Sequence, residues 1–247
     1  MKAKHFAMAA ALAMAAASAS AATFALDLTS GGTNTGSGYG NVRTFTVGDV
    51  TVTASAWSLT GGTGNTTFET ASLGQYSTGL GVCNRDEGGS NCGSPEHQVS
   101  NNDSLDFVLF QFSAAVDPLS VRIDPYGTHD RDVSYWTGTL ANALSRNGQT
   151  LTGLAALGFG DRIDDDASAS SSARDVSITS GLVNSLLFGA SALSSDRDDL
   201  FKITSLQFDY TLPTPPTPPT DVPEPGSLAL IALALGGLGL ARRRRAA

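Results

Sequence analysis

Two groups of aspartates are spaced so that their carboxylates could act together. Asp124, Asp130 and Asp132 share one interval between predicted strands, and Asp196, Asp198 and Asp199 share another just before Phe201. Oxygen-rich clusters at sheet edges are where Ca²⁺ gathers its six to eight ligands. Neither group has the D-x-[DN]-x-[DN]-G spacing of an EF-hand. Asp164-Asp165-Asp166 is a poorer ligand set, because consecutive carboxylates point in different directions. Two readings stay open: at least one bound Ca²⁺, with Asp124, Asp130, Asp132, Asp198 and Asp199 as ligands, or turn acids that are simply solvated.

Cys83 and Cys92 are the two cysteines of the chain. A lone close pair in an oxidising compartment forms a disulfide, and so short a loop contributes on the order of 2–3 kcal/mol in the chain-entropy model. A zinc half-site is the rival reading. It needs further ligands, and His97 alone lies near. Trp57, Tyr126, Tyr135 and Trp136 are candidate sugar-stacking faces, since stacking needs a large, flat, exposed ring. Tyr135 and Trp136 are adjacent, so on a strand they point to opposite faces and at most one can line a given groove. The competing reading places these rings in the core.

Nucleophilic catalysis has little to work with. His5 lies in the N-terminal apolar stretch, leaving His97 and His129. There is no G-x-S-x-G elbow. Gly36-Ser37-Gly38-Tyr39-Gly40 lacks the strand-to-helix frame of a phosphate loop. Two of the many acids could converge for glycoside hydrolysis, but no spacing singles out a pair. The expectation is a protein that is not an enzyme, and His97 in SPEHQV reads as a structural hydrogen-bonding residue.

The elements that must position these residues are short strands. Arg43–Val47 and Val50–Leu59 alternate around Gly48-Asp49, which reads as a hairpin. In the second of these, Val50, Val52, Ala54 and Ala56 share one face, while Thr51, Thr53, Ser55 and Trp57 share the other. Leu105–Phe112 (LDFVLFQF) is nearly all apolar, as for a strand buried on both faces. Leu119–Ile123, Val133–Leu140, Val176–Thr179, Leu186–Gly189 and Phe201–Leu212 supply further strands, and a short helix is expected within Leu140–Arg146. Gly31–Asn41 and Asp161–Ala173 read as loops. Many short strands between Gly/Asp/Asn turns predict an all-β fold for residues 22–212, a β-sandwich with the jelly roll as one form of it.

The chain ends differ from this middle. Lys2 and Lys4, an apolar run from Phe6 to about Ala17, and the small residues Ala17 to Ala21 form the pattern of a secretory signal peptide over 1–21. Signal peptidase and the Sec machinery are the partners this implies, with cleavage after Ala21 and Ala19 or Ala22 as close alternatives. At the other end, Thr211–Thr220 (TLPTPPTPPT) is a polyproline-like stretch, and 213–221 serves as the linker. Val222-Pro223-Glu224-Pro225 follows, then an apolar run of 15 residues, Ser227–Ala241, and Arg242-Arg243-Arg244-Arg245. The run is short against the roughly 20 residues of a relaxed membrane span, but arginines can snorkel to the headgroups and extend its reach. The arginine end stays cytoplasmic by the positive-inside rule, leaving the middle outside. Both ends predict one topology.

Residues 22–212 hold 9 Lys and Arg against 21 Asp and Glu, a net charge of about −12 that the whole-chain value of −8 conceals. So acidic a domain will not bind nucleic acid through bulk charge.

The tail of residues 222–247 resembles the PEP-CTERM sorting signal: a Pro-Glu-Pro motif, an apolar run ending in GGLGLA, and an arginine cluster, in that order. The resemblance implies that the chain is a substrate of exosortase, a membrane-embedded transpeptidase-like enzyme of Gram-negative bacteria that make exopolysaccharide. Pro223, Glu224 and Pro225 would then be the recognition element, and Arg242, Arg243, Arg244 and Arg245 the retention anchor. An inner-membrane-anchored intermediate would be cut near the motif and passed to the cell surface or extracellular matrix. A second resemblance runs through Leu73–Asn84, Ser94–Ser113 and Ile123–Gly138. These stretches look like a family of exosortase-dependent surface proteins, which implies location and fold rather than chemistry. The expected role is structural or adhesive in an exopolysaccharide or biofilm envelope. The alternative is a secreted polysaccharide-binding or polysaccharide-active enzyme using the same export route.

Overall fold

In the computed structural model of the chain, the described residues are 21–89, 92–93, 97–140, 147–167, 169–211 and 233–235. Residues 1–20 of the expected signal peptide (1–21), the Pro-Glu-Pro motif, the arginine cluster, and most of both the apolar run and the expected helix near 140–146 lie outside them. Residues 19–212 form one compact unit.

This unit is all-β. Its strands are β1 (Ala21–Asp27), β2 (Thr33–Thr35), β3 (Val42–Val47), β4 (Val50–Gly61), β5 (Thr67–Thr70), β6 (Ser72–Tyr76) and β7 (Gly79–Cys83). They continue with β8 (Val99–Ser100), β9 (Asp106–Pro125), β10 (Val133–Gly138), β11 (Ile163–Asp165), β12 (Arg174–Ser177), β13 (Val183–Ala190) and β14 (Leu200–Thr211). All belong to one connected sheet, and every paired strand runs antiparallel to its neighbours.

The β3–β4 hairpin forms where the alternation predicts it. Val47 pairs with Val50, and Gly48 takes φ +57° at the first central position, which a two-residue turn of this kind assigns to glycine. Val50, Val52, Ala54 and Ala56 enter the main core, while Trp57 and Leu59 enter a second cluster on the other face.

β9 organises the sheet. Phe107–Phe112 lie between β4 and β13, whereas Asp117–Pro125 pair with β14 and, over part of that length, with β12. The sequence suggests two strands here, and the structure joins them into one of 20 residues. No glycine interrupts the join, and Pro118, which cannot donate to a ladder, sits beside a register shift opposite Phe208. Val108, Phe110 and Phe112 face the main core, and Phe107 and Leu109 the second, so this stretch is buried on both faces as expected. A 3-10 helix, Leu151–Leu157, capped by Thr150, brings Leu154 onto the second cluster.

Seven strands, β1, β2, β5, β6, β7, β8 and β11, lie where the sequence pattern predicts none. β1 pairs along β14, β2 lies within the Gly-rich stretch, and β11 lies within the stretch read as an acidic loop, where Ile163–Asp165 pair with β10.

Candidate functional site

The register of four strands brings the two aspartate groups together. Val133 at the start of β10 lies opposite Ala190 at the end of β13, and Pro125 at the end of β9 lies opposite Phe201 in β14. The connections 126–132 and 191–199 must therefore run side by side at one end of the sheet. Backbone bonds tie them: Tyr126 N to Leu200 O at 2.8 Å, Asp130 N to Asp198 O at 3.0 Å, and Leu200 N to Asp130 O at 3.3 Å.

Carboxylate oxygens of Asp130, Asp132 and Asp199 lie within 4.8 Å of one another. Asp199 has no solvent exposure. Its Oδ1 accepts from Asp132 N at 2.7 Å, and its Oδ2 accepts from Asn101 Nδ2 at 2.6 Å and Ser191 N at 3.1 Å. Asn101, also fully buried, returns a bond by accepting Asp199 N on Oδ1 at 3.0 Å. Asp132 accepts from Ala167 N. Burial, and next the charge of Asp196, push the Asp199 carboxyl up to about 8. Burial also pushes Asp132 up to about 7, helped by Asp130 and Asp166 and opposed by the Ala167 bond. Asp198 is raised as well, by partial desolvation and then by Asp196 and Asp130. One Asp196 oxygen is enclosed without a hydrogen-bond partner among the described residues.

Like charges at this spacing, out of water, have two ways to be relieved. Either the carboxyls hold protons near neutral pH, or a divalent cation takes Asp130, Asp132 and Asp199 as ligands. Asp124 does not join them, because it stands within the ladder opposite Lys202. The Asp164–Asp166 run diverges as expected: Asp164 meets Ser134 and Arg162, Asp165 meets Arg174, and Asp166 reaches Asp132.

Cys83 and Cys92 form a disulfide with a Cα–Cα distance of 5.8 Å. Glu87 lies close to both sulfurs, but the bond removes the thiolates a metal would need. Next to it, Asp106 is fully buried and pushed up to about 7 by burial, against the hydrogen bonds of Asn84, Ser58 and Ser100. Lys202, in β14, is 3% exposed. Its Nζ donates to His97 O at 2.7 Å and sits 4.2 Å from the centre of the Tyr76 ring, and burial pushes its pKa down to about 7.

A family model for the PEP-CTERM protein-sorting motif matches residues 221–245. The chain is a PEP-CTERM sorting-signal protein. No curated protein and no solved structure matches it. The motif indicates exosortase-dependent sorting of an exported protein, through a membrane-anchored intermediate with exosortase as the processing partner. Among the described residues no helix is long and apolar enough to cross a membrane.

Three of the four aromatic rings considered as sugar platforms are interior in this PEP-CTERM protein. Trp57, Tyr135 and Trp136 are 7%, 2% and 4% exposed, which corrects their reading as carbohydrate contacts: a covered ring has no face to offer. Tyr135 lies in the main core and Trp136 in the second cluster, on opposite faces as their adjacency requires. Tyr126 is exposed, beside His129. His97 stacks on Tyr76 with ring centres 4.4 Å apart, a packing role. Asn101 and Lys202 were not singled out by sequence. An Asn-Asn-Asp stretch and a lysine in an apolar strand are the signals that could have found them.

Proposed function

We propose that this PEP-CTERM protein is a structural or adhesive component of an extracellular polysaccharide envelope, exported through the Sec machinery, trimmed by signal peptidase and released or retained after exosortase acts on its tail. The observation that carries the reading is the sorting motif at 221–245, which follows a compact β unit ending at Leu212 and a proline-rich stretch after it. The disulfide supports passage through an oxidising compartment. In this reading the sheet doubles over at β9 into the two layers of a sandwich, since the halves of that strand have different partners and the main core draws on both. A non-enzymatic role is supported by the acid cluster, where Asp199 and Asp132 are buried rather than set in an open groove.

Intact-mass analysis of envelope material from cells with and without exosortase tests the proposal. The expected result is a product shortened near Pro223-Glu224-Pro225 at the surface only when exosortase is present. Recovery of the uncut chain in the cytosol would overturn it.

A further inference from the structure

A cavity of about 380 Å³ opens between the Gly-rich stretch and β6, a size within the range of small-molecule sites. Asn34, Ser37 and Asn41 line one wall, and Ser72, Gly74 and Tyr76 the other.

The first wall is shaped by glycine. Gly36, Gly38 and Gly40 take φ of +85°, +70° and +85°, while Ser37 and Tyr39 between them do not take positive values. Such alternation curls a chain and can turn successive N–H groups inward. Asn41, buried, holds the curl in place. Its side chain both accepts from Leu73 N at 2.7 Å and donates to Leu73 O at 2.9 Å, as a neighbouring strand would, and donates to Asn34 Oδ1 at 3.0 Å. The second wall is an edge strand, paired with β7 alone. Ser72, Gly74 and Tyr76 project to one face. A Cβ on Gly74 would lie 2.5–2.8 Å from Tyr76 atoms, so the glycine lets that ring lie across the strand. His97 and Lys202 hold the ring there.

The chemistry of the lining selects the ligand. In a domain dominated by acids, the described residues of the cavity lining include no carboxylate and no cation. The hydroxyls of Ser37, Ser72 and Tyr76 have no hydrogen-bond partner among the described residues. Each can donate and accept, which suits a hydroxyl-rich neutral ring. A phosphate or carboxylate would lack a counter-charge, and an apolar ligand would desolvate the hydroxyls without replacing their bonds. We propose that this cavity binds a neutral sugar residue of a polysaccharide chain. The inference rests on the proposed envelope role for the source of that sugar, while the cavity's fitness for it follows from its lining alone.

The test is saturation-transfer NMR on the full chain in detergent micelles, with maltotriose, cellotriose and trigalacturonate as probes. The expected result is saturation of a neutral trisaccharide. Ser37→Trp, at an exposed position, should fill the cavity and abolish the signal while the thermal midpoint stays unchanged. Tyr76→Phe should weaken binding roughly 3- to 10-fold, the worth of one hydrogen bond, and serves as the second reading should Ser37→Trp fail to fold. No saturation of either neutral probe, saturation of trigalacturonate alone, or an unchanged signal in both variants would overturn the inference. Export and tail cleavage, read by intact mass, would be untouched by that failure.

Discussion

Beside the fully buried Asp106, the molecule buries ionisable groups in two further places and treats those two differently. At the end of the sheet, Asp199 and Asp132 sit among other acids but are held by backbone and amide donors. On β14, Lys202 sits alone, with one carbonyl and one aromatic ring for company and no described carboxylate within 4 Å of its amine. Both sites push their groups toward the neutral form, the acids upward and the amine downward. The difference lies in what each group holds. Asp199 gathers three donors from three separate segments, so it acts as a clamp. Lys202 has one hydrogen bond, and its stem mostly fills space.

The largest expected effect follows from that clamp. Asp199→Ala leaves Asp132 N and Ser191 N without an acceptor in the interior and takes from Asn101 Nδ2 its shortest bond, leaving it the carbonyls of Ser191 and Asp196. The expected loss is about 3–5 kcal/mol in a urea titration, because each unsatisfied buried donor carries its full desolvation cost. Asp199→Asn keeps an acceptor oxygen and should lose clearly less. Equal losses in the two variants would mean that the site is held by packing and not by these bonds.

The pH dependence separates the two sites by sign. Asp199 and Asp132 keep their protons in the fold to about 8 and about 7, against 3.8 when unfolded. Over that interval the folded chain binds more protons, so these groups lower stability as pH rises. Lys202 loses its proton at about 7 in the fold but at 10.5 when unfolded. Above about 7 the unfolded chain therefore binds more, and the lysine raises stability with pH. Asp106, which burial also raises to about 7, adds to the acid side. Together they predict a minimum in the thermal midpoint near pH 7.5, with higher values near pH 5 and pH 9.5. Asp199→Asn should flatten the acid side of that trough and Lys202→Met the alkaline side. A profile in which neither variant alters its own limb would sink the assignment.

How much of this was visible beforehand depended on the range of the interaction. The faces of β4 and the double burial of Phe107–Phe112 follow from local alternation, and the structure keeps both. The continuity of β9 through Pro118 could not be read locally, because the register shift that accommodates the proline belongs to β14. The same holds for the acid site. Asp130, Asp132 and Asp199 were recognisable as neighbours in sequence groups, and Asp124 was grouped with them by nearness along the chain alone. Asn101, which completes the clamp, lies 98 residues from Asp199, and only the pairing of β8 and β9 with β14 closes that gap. For the aromatic residues, composition could not decide between core and surface. Strand adjacency could say only that Tyr135 and Trp136 diverge.

Calcium sharpens the comparison at one site without touching the other. At pH 8 the protons that relieve the acids are being lost, so a cation has most to offer. Added Ca²⁺ is expected to stabilise the fold by about 1–3 kcal/mol at 10 to 100 times its dissociation constant, and a chelator to reverse this. Asp199→Asn should respond less and Lys202→Met as the parent does. A thermal midpoint indifferent to both calcium and chelator would leave protons as the acids' sole relief.

The smallest effect tests the lysine side. Lys202→Met removes a charge that is costly to bury and keeps an unbranched stem in the same space. It gives up one hydrogen bond to His97 O, worth about 1 kcal/mol, and below the folded pKa it also removes the cost of a desolvated ammonium. These terms oppose each other, so at pH 6 the variant should lie within about 1 kcal/mol of the parent. Should it instead lose as much as Asp199→Ala, Lys202 would be a second clamp, pinning the His97 segment across β7. The asymmetry between the two buried charges would then be gone.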